Sequence, residues 1–105
     1  MAQFDVYTNP SRTTKSAYPY IVDIQHDLLS EISTRMVIPL GKLVHFKNNK
    51  IQGLTLVVIY EGEQLLLLTP QIASVPSTFL KDPIGSLAQL RDEIISSIDL
   101  AITGI

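Results

Sequence analysis

His26 and Asp27, with Arg35 a little further on, are the side chains that invite a catalytic reading. Imidazole, carboxylate and guanidinium are the parts of an acid–base site, but that chemistry requires them within hydrogen-bond reach of one substrate. Their spacing does not enforce such a meeting, so polar surface is the better reading of the set. Asp23 is a different case. In Ile21-Val22-Asp23-Ile24 it interrupts an apolar pattern, and a carboxylate there must be paired or reach water. A structural hydrogen-bonding role is preferred to catalysis. His26 and His45 stand in different elements and do not suggest a metal site. The five glycines are too scattered for a phosphate loop. Ile72-Ala73-Ser74-Val75-Pro76 lacks the flanking glycines and the base of a nucleophile motif. With no cysteine there are no disulfides or thiolate metal sites, which fits a reducing cytosol. No cofactor is expected.

The chain has 105 residues, the size of a single domain spanning 1–105. It is 46% hydrophobic and 17% charged, with a mean hydropathy of +0.26. That is more apolar material than one small core readily hides, so a further buried patch in an oligomer is expected. No apolar run reaches the length of a membrane span, and the first residues lack the basic start and apolar block of a signal peptide. A net charge of −2 gives no reason to expect nucleic acid as the main partner. Lys42, Lys47 and Lys50 form a loose basic cluster best read as a solvated loop.

The elements that must position these residues follow from periodicity. Gln3 to Thr8 and Tyr18 to Gln25 alternate as strands, the second with Tyr20, Val22 and Ile24 on one face. Asn9 to Ala17 is a turn or loop. His26 to Ser33 loses the alternation, with a short helical turn expected at Leu28 and Leu29. Arg35 to Leu43 is a third strand, in which Pro39 argues for an edge or a bulge. His45 to Gly53 is a polar loop. Leu54 to Tyr60 and Gln64 to Thr69 form the strongest hairpin, apolar on two faces, so one face needs a second layer or a partner. Gln71 to Pro76 reads as an irregular crossing that ends in a short strand near Thr78 and Leu80.

A final helix is expected from Leu87 to about Ile102, capped by Ser86 with Gln89 completing a capping box. Leu87, Leu90, Ile94, Ile98, Ala101 and Ile102 make its apolar stripe. Gly104 suits a left-handed stop. Beyond the stripe, Thr103-Gly104-Ile105 is expected to present an apolar tip together with a carboxylate. The residues therefore give a mainly β domain, a small antiparallel barrel or sheet, with one C-terminal helix.

The ordered set Gln3-Phe4-Asp5-Val6-Tyr7, Val22-Asp23-Ile24-Gln25, Arg35-Met36-Val37-Ile38-Pro39-Leu40, Ala73-Ser74-Val75-Pro76 and Gly104-Ile105 resembles the CcdB toxins of bacterial toxin–antitoxin modules. The blocks stand in family order and spacing across nearly the whole chain. The resemblance implies an SH3-like β barrel with a C-terminal helix, assembled as a homodimer. It also implies a non-enzymatic function: binding the DNA gyrase A subunit and trapping the gyrase–DNA cleavage complex. A cognate antitoxin would neutralise the toxin through a disordered C-terminal segment and would carry the contact with operator DNA. The Lys42–Lys50 region and the last helix are candidates for the surface it covers.

By the same resemblance, gyrase-binding residues are His26, Leu28, Leu29, Ser30, Asp99, Thr103, Gly104 and Ile105. The familiar pattern has tryptophan before the final Gly-Ile, where this chain has Thr103. His26 and Asp99 stand where small or neutral polar residues are usual. Contact is then expected to rest more on Ile105, the leucines and the terminal carboxylate. Two alternatives remain at this point: an endoribonuclease toxin of the same fold, using His26, Asp27 and Arg35, and a non-toxic homologue that only binds antitoxin.

Overall fold

A computed structural model describes residues 2–26 and 32–104. It contains strands β1 (Asp5–Thr8), β2 (Tyr20–Asp23), β3 (Thr34–Lys42), β4 (Leu56–Tyr60), β5 (Glu63–Leu67), β6 (Ala73–Pro76) and β7 (Gly85–Ser86), then helix α1 (Arg91–Thr103). The strands make one antiparallel sheet in the order β4-β5-β3-β2-β1-β7, with β6 paired to the first half of β3. The helical turn expected at Leu28 and Leu29 lies outside the described residues. Among the described residues no helix is long and apolar enough to cross a membrane.

Strand alternation decides which side chains meet. Val6, Val22, Ile38, Leu40, Val58, Leu65 and Leu67 point to one face and pack with Phe4, Leu87 and Ile94 as the main core. The intervening Tyr7, Ile21 and Val37 turn to the opposite face, where Leu80 and Val75 cover them. The sheet curls until its ends meet. The Tyr60 hydroxyl at the end of β4 donates to the Ile84 carbonyl just before β7, at 3.0 Å. A Cβ at Gly85 would collide with that hydroxyl, so the close approach requires glycine.

Four expectations need correction. Pro39 lies in a central strand, neither at an edge nor at a bulge, since β3 pairs with β2 in unbroken register. Between Val37 and Leu40 the outer partner of β3 changes from β6 to β5. The Pro39 carbonyl points to that side, accepting from the Leu68 N–H at 3.1 Å. Its missing N–H therefore falls in the gap and removes no ladder bond. The segment after Gln71 forms its strand at Ala73–Pro76, and Ser77–Phe79 is a 3-10 turn instead of a strand. Pairing with β3, register Arg35↔Val75, organises it, a non-local cause that no local pattern announces.

The hairpin turn is shorter than the Glu61-Gly62-Glu63 connection expected between the two strands. Glu61 and Gly62 alone make it, both at positive φ (52° and 75°), and Tyr60 pairs with Glu63. Finally, Ser86 does not cap the α-helix. It pairs with Asp5 in β7, and its hydroxyl accepts from the Ala88 N–H at 3.1 Å, just ahead of a 3-10 turn whose N-cap is Leu87. The α-helix begins only at Arg91, with Asp92 and Glu93 in its first turn.

The second layer needed by the hairpin comes partly from this chain. The turns at Leu43–His45 and Lys47–Asn49 bring Phe46 over Gly41 and against Tyr18, with ring centroids 5.0 Å apart. Leu65 to Leu68 are all buried, whereas on β4 Val57 and Ile59 remain 40% and 70% exposed.

Candidate functional site

The end of α1 is built by packing at its base. Ile94 is fully buried in the core, and Ser97 is buried beside Thr69. The Ser97 hydroxyl donates to the Ile94 carbonyl at 2.8 Å, so in its 2.9 Å contact with Thr69 the threonine must donate. This anchored base carries the last turn out of the core. Ile102 is 72% exposed, and Ala101, Thr103 and Gly104 are exposed beside it. Gly104 takes the left-handed conformation (φ 74°, ψ 17°), and its N–H reaches the Leu100 carbonyl at 3.0 Å. The glycine stop expected from the sequence is thus present. Thr103 turns its hydroxyl back to the Asp99 carbonyl at 2.6 Å.

Of the expected contact residues, His26, Asp99, Thr103 and Gly104 are described and all are exposed. His26 follows the stem of β2, while the other three lie on the final turns of α1 and its cap. Leu28, Leu29, Ser30 and Ile105 lie outside the described residues. Sequence reading missed Ile102. The period puts it in the apolar stripe, but the helix outruns its support and leaves this side chain in solvent. The helical period holds for the whole stripe; only the supporting surface ends.

Three grooves among the described residues lie elsewhere. They are lined around Tyr7 and Phe79, around Gly53 and Glu93, and around Lys42 and Ile59. A protruding helix end without a cleft suits contact with a macromolecule better than enclosure of a small substrate.

Arg35 also departs from the sequence reading. It is wholly buried, as is Asp23. Its Nε and Nη2 donate to Asp23 Oδ2 at 2.9 and 2.7 Å, so Asp23 has the structural pairing expected of it. Burial raises the Asp23 carboxyl above its ordinary range, against the opposing pull of Arg35 and the Gln25 N–H. Burial likewise raises Tyr7, with Asp5 and Asp23 adding to the effect. Arg35 is therefore not a surface group and cannot join His26 and Asp27 in an exposed acid–base site. Among the described residues no cluster of three or more His, Cys, Asp or Glu is arranged for a metal.

A family model described as CcdB protein matches residues 3–104. The chain belongs to the CcdB family. Membership of the CcdB family points to a toxin of a toxin–antitoxin module and implies an antitoxin partner. Among solved structures the chain is similar to Mycobacterium tuberculosis toxin MazF-mt6. That likeness has 14% identity and a TM-score of 0.64, covering 78% of this chain and 83% of that one. At this identity it shows a common fold, mainly β with a C-terminal helix.

Proposed function

We propose that this protein poisons DNA gyrase: it binds the A subunit and traps the covalent gyrase–DNA cleavage complex. The observation that carries the reading is the exposed end of α1. Ile102, Thr103 and Gly104 project from a helix whose base is locked into the core. Such a tip can act as a wedge without performing catalysis. It need only bind the open state of its target better than the closed state. His26, Leu28, Leu29, Ser30, Asp99 and Ile105 complete the proposed gyrase surface, and Ile102 is added to it.

A homodimer with an SH3-like barrel, acting in the cytoplasm, belongs to the same proposal. Exposed Val57 and Ile59 support a second copy, since they leave apolar surface of the hairpin uncovered in one chain. The antitoxin is proposed to neutralise the toxin through a disordered segment, with DNA contacted only through it or through gyrase. The endoribonuclease alternative is disfavoured because Arg35 is spent on Asp23 inside the protein.

The test is to incubate the purified protein with gyrase and supercoiled plasmid, and separately with RNA. Trapped, cleaved plasmid with intact RNA is expected; cleaved RNA with untouched gyrase would reverse the assignment. Deleting Gly104 and Ile105 should leave the fold intact and abolish toxicity. A fully toxic truncation would remove the helix tip from the mechanism.

A further inference from the structure

Arg35 is the largest wholly buried side chain among the described residues. A buried ion pair is weak evidence for stability, because apolar side chains of similar volume often serve as well or better. What they cannot do is direct a backbone. Here Arg35 Nη2 donates to the Gln25 carbonyl at 3.2 Å, and Asp23 Oδ1 accepts from the Gln25 N–H at 3.0 Å. Both backbone polar groups of Gln25 are thus held by the pair. Gln25 Oε1 accepts from the Met36 N–H at 3.1 Å, directly beyond the Ile24 N–H to Met36 carbonyl bond. From the β1 side, Gln3 Nε2 donates to the Ile24 carbonyl at 3.0 Å.

At the other stem, the Ser33 carbonyl accepts from the Ser77 N–H at 2.8 Å, and Thr34 and Arg35 pair with Pro76 and Val75. The ion pair therefore ties the stem at the end of β2 to the stem at the start of β3. His26 follows Gln25 directly, and Ile32, 49% exposed, precedes Ser33. We propose that Asp23 and Arg35 are positioning residues: they aim the stems at Gln25–His26 and Ile32–Ser33, and so set the affinity of the toxin for its target. Neither touches the target. The consequence for affinity rests on the gyrase reading, whereas the aiming of the stems does not.

The Asp23→Leu/Arg35→Met double variant separates aiming from packing. Apolar replacement is expected to keep the melting temperature near that of the parent protein. Binding to a gyrase A fragment should weaken at least about tenfold, or about 1.4 kcal/mol by the usual conversion. Hydrogen exchange should quicken at the His26 and Ile32 amides while the Val6–Val22 ladder keeps its protection. If the double variant does not fold, Arg35→Lys takes its place, since an ammonium keeps the charge but cannot fork. It is compared with Val58→Ala, a core truncation away from the stems, at equal distance below each melting temperature. Parent-like affinity and parent-like exchange in the folded variant would overturn the proposal. If the parent protein itself fails to bind gyrase, the gyrase reading falls, and the exchange measurement alone decides whether the pair aims the stems.

Discussion

The base and the tip of α1 share one apolar period but live in different surroundings. At the base, Ile94 is fully buried and Ser97 is 2% exposed; at the tip, Ile102 is 72% exposed. The same 3.6-residue repeat therefore fixes the helix at one end and furnishes surface at the other. Stability and contact are separated along a single element, and substitutions should separate them too. Base variants should lose folding free energy and affect binding only through it. Tip variants should change binding and leave unfolding almost untouched.

Ile94→Ala tests the base most severely. Removing a wholly buried branched side chain is expected to cost about 2–5 kcal/mol, according to how far the site can collapse. In a domain of this size each 1 kcal/mol lowers the melting temperature by roughly 4–8 °C. A shift under one such step would mean that the helix is not anchored there. Ser97→Ala probes the same anchor through polar groups. It takes the acceptor from the buried Thr69 hydroxyl, so a loss of about 1–3 kcal/mol is expected. Adding Thr69→Val removes the orphaned hydroxyl and should recover much of the loss in denaturant melts. No recovery would show that the pair is not the linkage between helix and sheet.

This division was only half legible in the sequence. Period-2 alternation marks β1 and β2, two apolar runs about a Gly62 turn mark the β4–β5 hairpin, and the period of 3.6 marks α1 with its Gly104 stop. Those signals are local, and the structure honours them. What escaped depends on where neighbours begin and end. Ile102 has the right period for burial, but nothing in the chain says that the sheet stops beneath it. Pro39 reads as an edge residue because the exchange of β6 for β5 beside it is a tertiary event. Ser86 has good capping chemistry, yet pairing with Asp5 draws it into β7. Asp23 announced a need for a partner, while its partner Arg35 looked like surface, since arginine is almost never fully buried unless paired.

At the tip, Ile102→Ala is expected to alter unfolding by no more than about 0.5 kcal/mol, as for other exposed positions. If the side chain becomes buried against gyrase, its loss should weaken binding by about 2 kcal/mol, given about 0.8 kcal/mol for each buried methylene. Calorimetric unfolding and titration against a gyrase A fragment, run on the same protein, read the two effects. A variant that loses stability but not affinity would place Ile102 with the base and break the comparison.

Thr103→Trp sharpens the comparison in the opposite direction, by seeking a gain. Thr103 is exposed, and its hydroxyl is occupied with the Asp99 carbonyl of its own helix, so it offers a partner little beyond a methyl group. An indole there has room, because the turn stands clear of the core, and unfolding should stay within about 0.5 kcal/mol of the parent. If the tip meets an arginine of its target, a cation–π contact adds about 0.5–2 kcal/mol to binding. The expected readout is a tighter complex that dissociates more slowly, because affinity changes within one interface fall mostly on the off-rate. A faster-dissociating complex would mean that the partner packs closely against Thr103 itself. The tip would then be a fitted surface in which the smaller residue is required.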